Sequence, residues 1–322
     1  MSQAIRLPSR RSAGGRRAAI LPSSARRRDP RRRADQFAGW GMISPSVLLL
    51  AVFGMVPVVW AFVLSFQRND LQTPARWVGL HNYQELIHDP IFRDSIRHTI
   101  VYTVFFVPIT LVLSLVVAGA LNRRIRFITL YRLAVFVPVV TSTVATGVIF
   151  TWLLDPQYGI VNATLHRVGL PTSGFFSSPH DALFAIVAMT VWGWVGFGAL
   201  IFLAGLQSVP RELIEAAQID GCSKTTAFWR IQVPLLRPVS AFLVVWLTIN
   251  ALQLFDEVYV TTKGGPLDST TVVVYYLYQQ AFAYFHAGYA AAIAVVLFVA
   301  IAVVTVVQLR LARDPAAKAV DR

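Results

Sequence analysis

An all-α, polytopic membrane fold with six transmembrane helices is predicted by three features of this 322-residue sequence. Hydrophobic residues make up 56% of it and charged residues only 14%, far from a soluble composition. Apolar runs of roughly 17 to 25 residues, the length a helix at 1.5 Å per residue needs to cross a hydrocarbon core, recur along the chain. None of those runs contains Asp, Glu, Lys or Arg.

The first 37 residues are a basic tail carrying "RRSAGGRR" and "ARRRDPRRR". This composition fits a solvated, disordered segment beside an anionic cytoplasmic leaflet better than a nucleic-acid arm or a twin-Arg export signal. The apolar run starts too far beyond Arg11 for a signal, and no small-residue cleavage site follows it. The six spans are read as Ala38–Phe66, Thr99–Leu121, Leu133–Leu154, Ala182–Leu206, Val239–Phe255 and Ala287–Leu309. Lipid-exposed backbone must satisfy its own hydrogen bonds, so each is expected to be a helix, with Pro57, Pro108 and Pro138 marking kinks rather than ends. The segment "TTVVVYYLYQQAFAYF", Thr270–Phe285, is apolar but short and rich in Tyr and Gln. It reads as an outer-surface or re-entrant helix, the alternative being an extension of the last span. Residues 38–311 thus form one membrane domain, and 312–322 a second polar tail.

Sorting the charges by loop gives 23 Lys and Arg against 7 Asp and Glu on the side that holds both termini, and 6 against 9 on the other. The positive-inside rule therefore predicts cytoplasmic termini. The sole cysteine, Cys222, excludes an intramolecular disulfide. No G-x-x-x-x-G-K-[ST] phosphate loop occurs, and the six histidines show no metal-ligand spacing, so neither a cofactor, a metal site nor catalysis is expected. Spans without ionisable residues also argue against an ion-coupled transporter, as does the lack of a visible inverted repeat.

One stretch breaks the apolar pattern: "ELIEAAQIDGCSKTTAFWRIQVP", Glu212–Pro234, within a loop of about 208–238. Burying its charges in hydrocarbon would cost about 2.5 to 3.5 kcal/mol for each basic or Asp residue, so it belongs on the cytoplasmic face. Its local signals describe two short helices: Ser208 as N-cap, Pro210 in the first turn, Glu212 at the positive dipole end, Gly221 as a left-handed stop and Ser223 capping the second. The second is expected to run to about Val233, where Pro234 and Pro238 stop it. Leu213, Ile214, Ala217, Phe228, Trp229 and Ile231 are divided between seating this knob on the protein and facing a partner.

"EAAQIDG", nine residues and "IQVP" resemble the EAA motif of permease subunits in binding-protein-dependent bacterial ABC importers, with Val233 where that motif usually has Leu. "FDEVYVTTKGGPLDST", "YQQAF" and "AGYAAA" resemble the carbohydrate-uptake branch, of the maltose and glycerol-phosphate type. The likeness covers roughly residues 38–310. It implies a type I ABC importer permease (MetI-like) fold in the bacterial inner membrane and a coupling helix built from Glu215, Ala216, Ala217, Asp220, Gly221, Ile231 and Pro234. It also implies cytoplasmic ATPase subunits, a second homologous permease, an external solute-binding protein and a sugar or polyol as cargo. A glycerol-phosphate cargo is the alternative; spans lacking Lys and Arg favour a neutral one.

Asn250 and Gln253 sit three apart on the fifth span, with Asp256, Glu257 and Tyr259 following. They read either as a hydrogen-bonding substrate face or as amides that tie helices together and carboxylates that end one.

Overall fold

The computed structural model describes residues 30–70, 72–123 and 126–312, with side chains from Trp40 onward. The tails before Pro30 and after Ala312 lie outside the described residues. The chain divides into two compact units after Pro57. The first holds α1 (Pro30–Leu49), which begins within the expected tail, and a π-helical stretch, Leu50–Met55. Its side chains from Trp40 to Met55 are exposed apart from a half-buried Ala51, as a lipid-facing apolar helix requires. The helix continues as α2 (Val56–Leu64).

In the second unit, β1 (Gln67–Arg68) and β2 (Arg76–Trp77) pair antiparallel, and α3 (His81–His88) follows. The second span is a 32-residue helix, α4 (Pro90–Leu121), starting nine residues before its apolar run. The early start has a local cause. Asp89 is extended, its Oδ1 accepts from the backbone N–H of Ile91 and Phe92 at 2.9 and 3.2 Å, and Pro90 occupies the first turn. Pro108 lies inside α4 without interrupting it.

The third span departs from expectation. It is two helices, α5 (Ile128–Val140) and α6 (Thr143–Leu153), bent by 102° at Thr141–Ser142. Pro138 stands two residues from the end of α5 rather than at a mid-span kink. After α7 (Ile160–Arg167) comes the central helix α8 (Ala182–Ser208). Its glycines permit close approach: a Cβ at Gly196 would fall 2.3 Å from the Val135 carbonyl of α5, and one at Gly198 the same distance from Ser114 Oγ of α4.

The loop after α8 forms α9 (Arg211–Ile219), α10 (Lys224–Ala227), a π-helical stretch Phe228–Gln232, and α11 (Val233–Leu235). The chain then turns by 66° into α12 (Arg237–Leu252). That helix ends three residues before the expected span; Phe255 adopts φ −144°, ψ −60°, and α13 (Asp256–Thr261) restarts the chain. The Tyr-rich segment is α14 (Val273–Tyr278) followed by a π-helical stretch, Gln279–Ala283. Phe285, at φ 59°, separates it from α15 (Ala287–Ala312), so it does not extend the last span. Its Tyr275 and Tyr276 are buried. Among the described residues four helical runs are long and apolar enough to cross a membrane, and the number reaches six if each of two bent pairs counts as one span.

Candidate functional site: a surface knob and a cleft joined by one helix

The knob is shaped by backbone rules that its sequence spells out. Val209 is extended, as a residue before proline prefers, so Pro210 rather than Ser208 precedes α9. Ser208 is instead the last residue of α8, its hydroxyl donating to the Gly205 carbonyl at 2.8 Å. Helix α9 ends in a two-bond turn. Gly221 takes φ +83°, its N–H donates to the Gln218 carbonyl at 3.1 Å, and the Cys222 N–H donates to the Ala217 carbonyl at 2.9 Å. Ser223 Oγ then accepts the Thr226 N–H at 3.2 Å and caps the second helix, as expected. The π-helical stretch and α11 then carry the chain to Leu235, two residues past the predicted end, with Pro234 in the first turn of α11, where a proline costs no hydrogen bond.

The coupling candidates divide between two faces. Glu212, Glu215, Ala216 and Ile219, at helical spacing, are exposed together with Asp220, Gly221 and Pro234, whereas Ala217 and Ile231 are half-buried. The outward large apolar side chains are Leu213 (46% exposed), Leu235 (48%), Trp229 (51%) and Ile219 (86%). Ile219 is absent from the residues singled out in the sequence, although its spacing from Glu215 and Ala216 places it on their face. Phe228 turns inward, and a Cβ at Gly119 of α4 would stand 3.1 Å from its ring.

At the far end of α12, the break at Gln253–Phe255 opens a cleft of about 230 Å³. It is lined by Asn250, Gln253, Asp256 and Glu257 together with Tyr102, Phe106, Thr143, Trp194, Leu254 and Phe255. A second cleft of about 240 Å³ shares Thr143, Trp194 and Glu257 and adds Trp246, Phe197, Thr146 and Thr190. Both broken helices contribute: Thr143 opens α6 just after its bend, and Asp256 opens α13. Discontinuous helices of this kind are tolerated at depth where they line a cavity.

Four of the five predicted residues therefore converge, though not as one helical face, since α12 has ended before Gln253. The Asn250 amide donates to the Trp246 carbonyl one turn back, at 2.8 Å, and so bonds within its own helix rather than across to another. Tyr259 does not join the cleft: its ring stacks on Phe255 at 5.4 Å and packs edge-on against Tyr278. The aromatic walls come from residues that periodicity does not single out. Trp194 contacts Phe197 edge-on at 5.7 Å, and Phe197 stacks on Trp246 at 6.0 Å. Tyr102 is buried, and its hydroxyl donates to Thr190 Oγ1 at 3.0 Å.

A third cluster lies at the start of α4. Besides capping α4, Asp89 accepts through Oδ2 from the hydroxyls of Tyr276 and Tyr289 at 2.5 and 2.6 Å, joining α4 to α14 and α15. Burial works to raise the Asp89 carboxyl, but the two phenols and the Phe92 and Ile91 amides outweigh it and hold the group below its ordinary value.

Residues 87–315 match the family described as binding-protein-dependent transport system inner membrane component. The sulfoquinovosyl glycerol transport system permease protein SmoG of Agrobacterium fabrum is 36% identical over 274 residues, covering 84% of this chain and 89% of that one. The arabinooligosaccharides transport system permease protein AraP of Bacillus subtilis is 35% identical, covering 83% and 86%. The lactose transport system permease protein LacF of Rhizobium radiobacter is 33% identical, covering 86% and 94%. A chain of the crystal structure of a bacterial alginate ABC transporter, in complex with its alginate pentasaccharide-bound periplasmic protein, superposes with a TM-score of 0.76 at 19% identity, covering 88% and 96%. The fold expected from the EAA resemblance is thus the one found. With a matching family over most of its length and relatives of this identity, the chain belongs to the binding-protein-dependent inner membrane components, the non-catalytic permease subunits of ABC importers.

Proposed function

We propose that this chain carries a sugar or oligosaccharide across the inner membrane as one of two homologous permease subunits. In this reading a separate ATPase docks on the knob, and an external solute-binding protein delivers the cargo. Both termini and the knob face the cytoplasm, as the charge asymmetry of the loops supports. The sugar assignment is supported by the names of the similar permeases, two of which specify an oligosaccharide or lactose. The observation that carries the mechanism is the placement of α12: it starts at the knob and ends at a cleft lined by amides, carboxylates and tryptophan. A docking surface and a polyhydroxyl-compatible cleft at the two ends of one helix are what ATP-driven gating of a sugar path requires.

Glu215, Ala216, Asp220 and Gly221, with Ile219 beside them, supply the docking face, while Ala217, Ile231 and Pro234 maintain its shape. Asn250, Gln253, Asp256 and Glu257 offer hydrogen bonds to sugar hydroxyls, and Tyr259 supports Phe255 from behind. The test is uptake of labelled oligosaccharides into vesicles holding the full complex, with and without ATP. ATP-dependent accumulation is expected, and Asn250→Ala or Gln253→Ala should change affinity or preference among sugars while the complex still assembles. Uptake independent of ATP would overturn the importer reading. Equal loss for every sugar, with poor assembly, would make the two amides packing groups.

A further inference from the structure

The cleft carries a charge pattern that its shape does not demand. Among the residues lining its two chambers there is no Lys, Arg or His, whereas Asp256 and Glu257 both belong to the lining. Glu257, like Thr143 and Trp194, lines both chambers. Among the described residues its carboxylate meets no side-chain donor or cation; the donor that acts on it is its own backbone N–H. A half-buried carboxylate left open toward a cavity is costly unless something that enters the cavity completes its hydrogen bonds.

We infer that Asp256 and Glu257 make this cleft a charge filter, admitting uncharged glycans and excluding sugars that carry a carboxylate, sulfonate or phosphate. The inference rests on the sugar-importer reading above. Ionised carboxylates only accept, and a neutral sugar presents hydroxyl donors that make short, charge-assisted bonds to them. The apolar C–H face of a pyranose suits the flat walls of Trp194 and Trp246, and Asn250, Gln253 and Thr143 serve the remaining hydroxyls. An acidic sugar brings a like charge into the same small, partly dehydrated volume, where repulsion is far stronger than in bulk water. Recognition of such groups uses the guanidinium fork or an ammonium, and the lining has neither. To admit an anion, the site would have to take up a proton on Glu257 or accept the repulsion, and either disfavours passage.

The experiment uses the reconstituted complex with its binding protein and a panel of labelled di-, tri- and tetrasaccharides in matched pairs. Members of a pair differ only in a C6 hydroxymethyl or a C6 carboxylate. The expected result is ATP-dependent accumulation of neutral members only, by a margin of about tenfold or more over their acidic partners. In Asp256→Asn/Glu257→Gln that ratio should shrink toward unity, a change that general misfolding, which lowers both members alike, does not produce. The single, exposed Asp256→Asn serves where the double variant assembles poorly. Wild-type uptake of an acidic sugar equal to its neutral partner overturns the inference. So does a preference left undiminished in the variants, which would assign selection to the binding protein. Failure of every pair to accumulate would instead overturn the sugar reading on which the filter rests.

Discussion

Replacement of Gly221 is the sharpest test of the knob, because the structure isolates one physical effect there. Gly221 has φ +83°, and a Cβ built on it would meet nothing within 4 Å. Any penalty must then come from the backbone and not from crowding. An ordinary L-residue in the left-handed region is penalised by about 1–2 kcal/mol, a β-branched one by more, and Asn by least. The alternative for the chain is to abandon the turn, which gives up the Gly221–Gln218 and Cys222–Ala217 hydrogen bonds at about 0.5–1.5 kcal/mol each. The two routes are similar in cost, so Gly221→Val should shift the knob toward a re-aimed second helix by a factor of about 5–30.

The assay is ATP-dependent uptake together with substrate-stimulated ATP hydrolysis, each normalised to protein abundance in the membrane. The expected order of retained coupling is Gly, then Asn, then Ala, then Val, which follows left-handed tolerance and not side-chain volume. Gly79→Val is the control. It too has a positive φ, +60°, and open space around it, but it lies in the loop before α3. It should lower abundance or thermal stability without separating hydrolysis from uptake. Asn as damaging as Val, or full coupling in Gly221→Val at normal abundance, would refute the role given to this turn.

Cys222, the only thiol, is half-buried and beside this turn; a membrane-impermeant maleimide should label it only after permeabilisation, and labelling of intact cells would reverse the orientation. Asp89→Ala should destabilise the corner of α4, α14 and α15 by about 1–3 kcal/mol, since it removes a cap and strands two phenols, while Asp89→Asn keeps the cap and loses less; equal effects in thermal melts would contradict this. Because the folded-state value of Asp89 is depressed, its contribution is present above the ordinary carboxylate value near 3.8 and is lost as pH falls through the lower folded value; melts of the wild type, but not of Asp89→Asn, should show that acid-side loss. Gly205→Val should impair uptake at normal abundance, since a Cβ there would stand 2.8 Å from the buried Leu236 side chain and 3.1 Å from Val239; unchanged uptake would show that this seat can adjust.

What the sequence revealed was governed by local rules. Hydropathy located the four unbroken spans, and the Gly221 stop and Ser223 cap were legible because they depend on backbone conformation within a few residues. The errors arose where local signals compete or distant elements decide. Ser208 has a capping side chain, yet Pro210 forces Val209 out of the helical region and leaves Ser208 inside α8. Pro138 signals a kink in the third span, but not that the bend falls three residues further on, at Thr141–Ser142, nor that it reaches 102°, because apolar sequence runs through both arms. Asn250 and Gln253 do line one cleft, but across a chain break that periodicity does not register. Thr143 and Trp194 reach them from elements more than fifty residues away in sequence, a relation that only the packing of α4, α6, α8 and α12 creates.

That packing also gives the proposed coupling between knob and cleft a physical route. Helix α12 has 16 residues, about 24 Å of nearly rigid rod. Its lower end is locked by Leu236 and Leu243 into a buried cluster with Ala118, Phe202 and Leu206, and its upper end by Leu247 and Ala251 into another with Tyr102, Phe106 and Val187. A helix held in packed surroundings at both ends transmits displacement rather than absorbing it, since close-packed interiors compress little. The bend between α11 and α12 cannot easily act as a slack joint, because Leu236 at that bend is 2% exposed and pressed against Gly205. The first place along this rod where the backbone leaves helical geometry is Gln253–Phe255. In the mechanism proposed above, movement imposed on the knob is delivered to the residues that carry the amides and carboxylates of the cleft, at the break that hides the site from sequence periodicity.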